Sequence, residues 1–223
     1  MTNMDKDNMT ELVFEQQAPQ KLEKKLVLAT ENPNKIRELQ QLLADSEFEI
    51  LSLQDFPEIV LPPEDGKTFL ENAAVKACHV ARITGLLALA DDSGLTVDAL
   101  DGAPGVYSAR FAGENKDSAA NNQKLLELLA GKSLQERSAA FKCLLVLADC
   151  RDEFMWFEGT CPGLITDRAR GTNGFGYDPI FLLPQFDKTM AELSEDEKNS
   201  VSHRGEALRK CLGLMERMSD SKS

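Results

Sequence analysis

Apolar and polar positions follow one another along this chain in blocks that predict strands, loops and helices in turn. Leu26-Val27-Leu28-Ala29 is a continuous apolar run and predicts a buried strand. The polar loop 30–35 comes next, and Ile36, Leu39, Leu42 and Leu43 then recur at helical spacing. Phe48-Glu49-Ile50-Leu51 predicts a second strand. A loop rich in proline and acid (Pro57, Pro62, Pro63, Glu64, Asp65, Gly66) leads into a strong helix over 68–84, closed by Gly85. Its buried stripe is Phe69, Ala73, Ala77, Val80 and Ala81, and Thr68 with Glu71 fits a capping box. Leu86-Leu87-Ala88-Leu89 predicts a short buried strand that ends in Ala90-Asp91-Asp92-Ser93-Gly94-Leu95. Residues 101–105 have the composition of a tight turn, and a helix over 118–130 is capped by Asp117 and ended by Gly131. Residues 139–148 and 153–160 predict adjacent strands joined by a turn at 149–152. A glycine-bearing loop, 167–176, runs into Ile180-Phe181-Leu182-Leu183. Ser194 and Glu197 form a second capping box, and Ser202 can cap a last helix with the stripe Leu208, Cys211, Leu212, Met215 and Met218.

Several of these positions carry chemistry as well as structure. Adjacent carboxylates at Asp91 and Asp92 repel and are costly to bury unless a cation compensates. Mg²⁺ would do so, yet Asp, Ser and Gly are also ordinary turn residues, and the fragment alone reads as a strand-end turn. The loop 30–35 between a strand and a helix start can hold an anion, with Lys35 as a point charge, or can simply cap the helix through Asn32 or Asn34. Asn72 and Lys76, four apart, share a helix face and can look into one cleft. Aromatics among the glycines of 171–177 suit stacking on a flat ring, or a core Phe in a hairpin. His203 and Arg204 in a first helical turn oppose the helix dipole, which marks function unless an acid such as Glu206 explains it.

Composition narrows the classes. The 223 residues suffice for one large domain or two lobes, and 25 Lys+Arg against 37 Asp+Glu give a net charge of −12. That balance argues against a broad nucleic-acid surface without excluding an anionic small molecule. Five cysteines without C-x-x-C pairing and two histidines leave few ligands for a structural zinc, and a reduced, cytoplasmic setting fits. No run is long enough to span a membrane. Residues 1–25 read as a polar, disordered extension, 26–218 as a single domain and 219–223 as a polar tail.

Five motifs follow one another in order: Ala29-Thr30-Glu31-Asn32-Pro33-Asn34-Lys35; Thr68-Phe69-Leu70-Glu71-Asn72-Ala73 with Lys76; Ala90 to Leu95 with Gly102-Ala103-Pro104-Gly105; Gly174-Phe175-Gly176-Tyr177-Asp178-Pro179; and Lys198 with Ser202-His203-Arg204. Together they resemble one family, the inosine triphosphate pyrophosphatases, which act on non-canonical purine nucleoside triphosphates. The resemblance implies an α/β fold: an elongated mixed β-sheet with flanking helices, forming two lobes around a nucleotide-binding cleft, as a homodimer. It implies cleavage of ITP, dITP and XTP between the α- and β-phosphates, with Mg²⁺ as cofactor. By the same resemblance Thr30, Glu31, Asn32, Pro33, Asn34 and Lys35 hold the triphosphate with Lys76 near it. Asp92 is implied as proton acceptor and metal ligand, with Glu64 as the second metal carboxylate. Ser93, Phe175, Gly176, Tyr177, Asp178, Lys198, His203 and Arg204 are implied to line the nucleotide site. Asn34 replaces a glycine common among relatives, and Asn is expected to tolerate a left-handed backbone there.

The implied chemistry matches the residue types. A triphosphate calls for several cations and a metal as pyrophosphate departs, and a carboxylate can orient or deprotonate the attacking water. Donors from Arg204 or His203 favour a 6-oxo purine over adenine, whereas guanine shares that oxygen. Three rivals remain at this point: a Maf-like pyrophosphatase for pyrimidine or modified nucleotides, a non-catalytic nucleotide sensor, and an unrelated scaffold with chance motifs that binds no nucleotide.

Overall fold

The computed structural model describes residues 24–220, with side chains described through 215. One open, mixed sheet of seven strands runs in the order β2-β1-β3-β4-β5-β6-β7. Strand β1 (Lys25–Leu28) lies parallel to both β2 (Glu49–Ser52) and β3 (Leu87–Val97). The remaining strands, β4 (Ser138–Ala148), β5 (Phe154–Ile165), β6 (Phe181–Leu183) and β7 (Lys188–Thr189), extend it antiparallel. Among the described residues five α-helices flank it: α1 (Pro33–Leu42), α2 (Phe69–Thr84), α3 (Ser118–Leu128), α4 (Glu195–Val201) and α5 (His203–Asp220).

After Lys25, strand β1 is apolar and buried through Leu28 because both faces are covered, as parallel strands require. Leu26 and Leu28 pack with Leu39 of α1 and Leu208 and Cys211 of α5. Val27 and Ala29 meet Ala73, Ala77, Val80 and Ala81 of α2, whose small side chains let the helix lie close to the sheet. A separate cluster joins Leu95, Val97, Phe141, Ile165 and Phe181 to Leu125 and Leu129 at the other end of the sheet. The chain leaves β1 through α1 toward β2 and returns through α2 to β3 on the other side of β1. The carboxyl end of β1 is therefore a topological switch point, where open α/β sheets bind ligands.

The structure corrects several expectations. Strand β3 does not end at Asp91-Asp92 but runs on to Val97, each residue from Ala88 paired with β4. The strand-end turn is thus excluded, because β4 continues the ladder and cations compensate the carboxylates. Strand β5 reaches Ile165, beyond the expected 160. Thr68 caps α2 by accepting from the Glu71 N–H at 3.1 Å, but the Glu71 carboxylate accepts from Lys67 N rather than completing the box. Gly85 ends that helix at φ 70°, a left-handed value that favours glycine. Of the expected extension, 1–23 lie outside the described residues, and Lys25 already belongs to β1. Residues 219–220 belong to α5, while 221–223 and the Met218 side chain lie outside the described set. No helix of the described residues is long and apolar enough to cross a membrane. All five cysteines are free, and burial pushes the Cys161 and Cys211 thiols up to about 12, the behaviour of small core hydrophobes.

Candidate active site

Alternation along β3 sends Asp91 and Ser93 to the face covered by α1 and α5, and Asp92 to the face covered by α2. Asp91 is fully buried and saturated. Its Oδ1 accepts from Lys35 Nζ at 3.1 Å and from Ser93 Oγ at 2.7 Å, and its Oδ2 accepts from Arg204 Nε. Arg204 also donates to Glu38 and, at 3.0 Å, to Ser93 Oγ. Burial alone would raise the Asp91 pKa, but the Arg204 and Lys35 charges overcome it and hold the carboxyl far below the usual range. Glu206 does not explain Arg204. It accepts from Thr160 N and Lys210 Nζ, both at 2.8 Å, and the arginine is placed by Asp91 and Glu38.

The opposite face is arranged differently. Asp92 Oδ2 accepts from Asn72 Nδ2 at 3.1 Å, and Asp92 Oδ1 lies 3.5 Å from Lys76 Nζ. Lys76 Nζ donates to Glu64 Oε1 at 2.6 Å and to the Asp91 carbonyl at 3.1 Å. Lys35 Nζ reaches that carbonyl too, at 3.2 Å. This convergence has a topological cause. The last bond from the β1 side is Ala29 N to Leu89 O at 2.8 Å, so the next carbonyl along that edge, Asp91, faces no strand. Two ammonium groups take the place of a strand donor. Burial raises the Asp92 pKa against the pull of Lys76 and Lys35. In Glu64 burial also opposes ionisation, but Lys76 prevails and lowers the pKa; in Lys76 burial is overcome by Asp92 and Glu64, and the pKa rises.

The third wall comes from α4 and the glycine loop. Lys198 Nζ donates to Glu38 Oε1 at 2.6 Å and to Asp178 Oδ2 at 2.7 Å, and that same oxygen accepts from Phe175 N at 2.8 Å. Lys198 Nζ stands 4.9 Å from the Phe175 ring centre, and the Arg204 guanidinium 5.8 Å from it. Gly174 is required here: its φ is +74°, and a Cβ would sit 2.0 Å from Asp178 Oδ2. A cleft opens between α1 and this loop, lined by Asn34, Glu38, Phe175 and Lys198 among others.

The structure brings Lys35, Glu64, Lys76, Asp92, Ser93, Phe175, Asp178, Lys198 and Arg204 into one network. Thr30 and Asn32 shape the loop: Thr30 Oγ1 accepts from Asn32 N at 3.2 Å, and Asn32 Oδ1 caps α1 through Asn34 N and Lys35 N. Capping and site-building therefore coexist, and Lys35 is paired rather than solvated. Asn34 sits in right-handed helix, so the left-handed backbone expected of it is not needed. Glu31 and Pro33 are exposed, outside the network, and Gly176 lies in the loop with its carbonyl accepting from Asn122 Nδ2 at 3.1 Å. Tyr177 is not an exposed stacking ring. It is buried in the core, and its hydroxyl donates to the Ser108 carbonyl at 2.9 Å. His203 stacks on Phe141 at 4.9 Å, and its Nδ1 is buried without a partner among the described residues.

Sequence reasoning missed Glu38, which joins Lys198 to Arg204. Its signal was a carboxylate three residues after Lys35, hence on the same side of the helix. It also missed Ser108 and Asn121, whose turn and amide fasten the 105–112 segment to β3 and α3.

Comparison with known proteins accords with this geometry. The profile of the Ham1 family matches residues 26–214. The chain belongs to the Ham1 family. It is 50% identical over 194 residues to the dITP/XTP pyrophosphatase of Desulforamulus reducens, covering 87% of this chain and 96% of that protein. It is 54% identical over 184 residues to the protein of the same name from Geobacter sulfurreducens, covering 82% and 92%. Among solved structures, a HAM1 protein from Coxiella burnetii superposes with a TM-score of 0.79 at 45% identity, covering 86% of this Ham1-family chain and 98% of that one.

Proposed function

We propose that this chain hydrolyses non-canonical purine nucleoside triphosphates (ITP, dITP and XTP) between the α- and β-phosphates, releasing a monophosphate and pyrophosphate. The observation that carries the reading is the meeting of Lys35, Lys76, Lys198 and Arg204 around a carboxylate-bearing strand at the switch point. Carboxylates outnumber these cations, since Glu38, Glu64, Asp91, Asp92 and Asp178 all share the network. A triphosphate adds further negative charge, so a divalent cation is called for.

Glu64 and Asp92 fit Mg²⁺: both supply oxygen, and both already turn toward one cation, the Lys76 ammonium. Mg²⁺ is typically held by one or two carboxylates plus substrate phosphates. When bound, it lowers the pKa of the attacking water and offsets charge on the phosphates. Asp92, its pKa raised by burial and its carboxylate oriented by Asn72, accepts the proton from that water. The oxygen–α-phosphorus bond forms as the bond to the bridging oxygen breaks, and the leaving pyrophosphate meets Lys35 and Lys76. Phe175 offers its ring to the purine, while Arg204 and the unpartnered His203 Nδ1 supply hydrogen-bonding groups for its edge.

A homodimer is part of the proposal. The exposed aromatic side chains Tyr107, Phe154 and Trp156 are its support, and sedimentation is its test. A cytoplasmic setting rests on the five free thiols. The deciding assay measures pyrophosphate release from ITP, XTP, GTP, ATP and UTP with Mg²⁺, for the unmutated protein beside Asp92→Asn. Turnover confined to ITP and XTP, lost in Asp92→Asn with binding retained, is expected. Binding without turnover makes the chain a sensor, and preference for UTP makes it a Maf-like enzyme.

A further inference from the structure

Lys76 projects from the middle of α2 with only 4% of its surface exposed. Its ammonium is in contact with three oxygens: Glu64 Oε1 at 2.6 Å, the Asp91 carbonyl at 3.1 Å and Asp92 Oδ1 at 3.5 Å. Asn72 holds the other Asp92 oxygen from the same helix. Lys35, reaching in from α1, has a different anchor, the Asp91 carboxylate on the far face. The two carboxylates that would take the metal are thus gathered on one organic cation, whereas Lys35 touches neither.

A Mg²⁺ ion needs its oxygens at about 2.0–2.1 Å. It cannot be added between Glu64 and Asp92 while an ammonium is bonded to the first and within ion-pair distance of the second, because two like charges so close repel strongly. We propose that Lys76 is a placeholder for the metal: its ammonium bridges Glu64 and Asp92 in the metal-free protein, and metal binding displaces it toward the phosphates. This rests on the reading of Glu64 and Asp92 as metal ligands. Without a cation, the two carboxylates would repel each other and splay the loop carrying Glu64. Lys76 keeps that loop in register and then becomes free as the metal arrives, so a phosphate-binding charge is released when it is needed. The apparent metal affinity is lowered by the fraction of molecules in which the ammonium occupies the site.

The test is Mn²⁺ binding, followed by electron paramagnetic resonance, to the full chain as unmutated protein, Lys76→Met, Lys35→Met and Asp92→Asn. Removing the placeholder should tighten Mn²⁺ binding by about tenfold, while Lys35→Met, the charge control, should change it by less than about threefold. Equal tightening in both lysine variants would reduce the effect to general repulsion and overturn the placeholder. Unchanged or weaker binding in Lys76→Met would overturn it as well. If Asp92→Asn binds Mn²⁺ as tightly as the unmutated protein, the carboxylates are not the metal site and both readings fall. If Asp92→Asn loses Mn²⁺ while Lys76→Met binds as before, only the placeholder falls. Should Lys76→Met fail to fold, the unmutated protein still decides. The Lys76 side-chain nitrogen resonance should move on Mg²⁺ binding while that of Lys198 stays, and a stationary Lys76 signal overturns the proposal.

Discussion

The two faces of β3 carry consecutive aspartates with opposite fates. On the α1–α5 face, Asp91 has no exposed surface, and a guanidinium, an ammonium and a hydroxyl satisfy it. On the α2 face, Asp92 keeps 11% of its side chain open, is held by one amide and leans toward one lysine. The same residue type in the same strand has its pKa driven down on one face and up on the other. A saturated buried carboxylate is a structural strut; one that is only partly satisfied and still partly open is available for chemistry. Asp91 also serves the other face through its carbonyl, which anchors Lys35 and Lys76 where β1 stops.

Mutations can break or sharpen this contrast. The largest effect is expected from Asp92→Asn, which should lower kcat for ITP by at least about 10³-fold while leaving the fold intact. Pyrophosphate release and a melting curve on one preparation check both halves. Asp91→Asn should do the reverse in kind: stranding Arg204 and Lys35 in the interior destabilises the chain by about 3–5 kcal/mol. Urea titration reads this, and an Asp91→Asn protein as stable as its parent would erase the distinction between the faces. Packing resumes on the Asp92 face two residues on, where a Cβ on Gly94 would lie 2.5 Å from both Gly105 O and Ser108 Oγ. Gly94→Ala should therefore cost about 1–3 kcal/mol by overpacking, again seen in urea.

The smallest effect concerns His203, on the α5 side. Burial, with the neighbouring Arg204 charge, depresses its pKa well below the ordinary value. The unfolded chain then takes up the proton first as pH falls below about 6.5, so stability should decline there by up to ~1.4 kcal/mol per pH unit, until the folded pKa is reached. His203→Gln should flatten that slope between about pH 5 and 6.5 and leave stability above pH 7 nearly unchanged. An unaltered slope in urea midpoints would mean another group governs acid sensitivity.

Local signals were legible where local physics decides. The alanine stripe of α2, the Asp117 cap of α3 and the Ser194–Glu197 box all act within a turn or two of chain, and each appears as read. Expectation and structure part where a distant partner decides. Composition alone marked Asp91 to Gly94 as a turn, but ladder partners 48 to 54 residues away in β4 carry the strand through. Tyr177, set among glycines, looked exposed; the Ser108 carbonyl and the core between β5, β6 and α3 draw it inward. Glu38 was unremarkable on α1 until α4 and α5 brought Lys198 and Arg204 against it.

The order of elements, the caps, the ladder of motifs and the family follow from the sequence itself, because each depends on residues near one another or on their order along the chain. Which aspartate became strut and which stayed partly open did not. That was decided by strand alternation, by where β1 ends and by which helix covers each face. Those are properties of the assembled sheet, since burial and the sum of surrounding charges fix what a carboxylate can do.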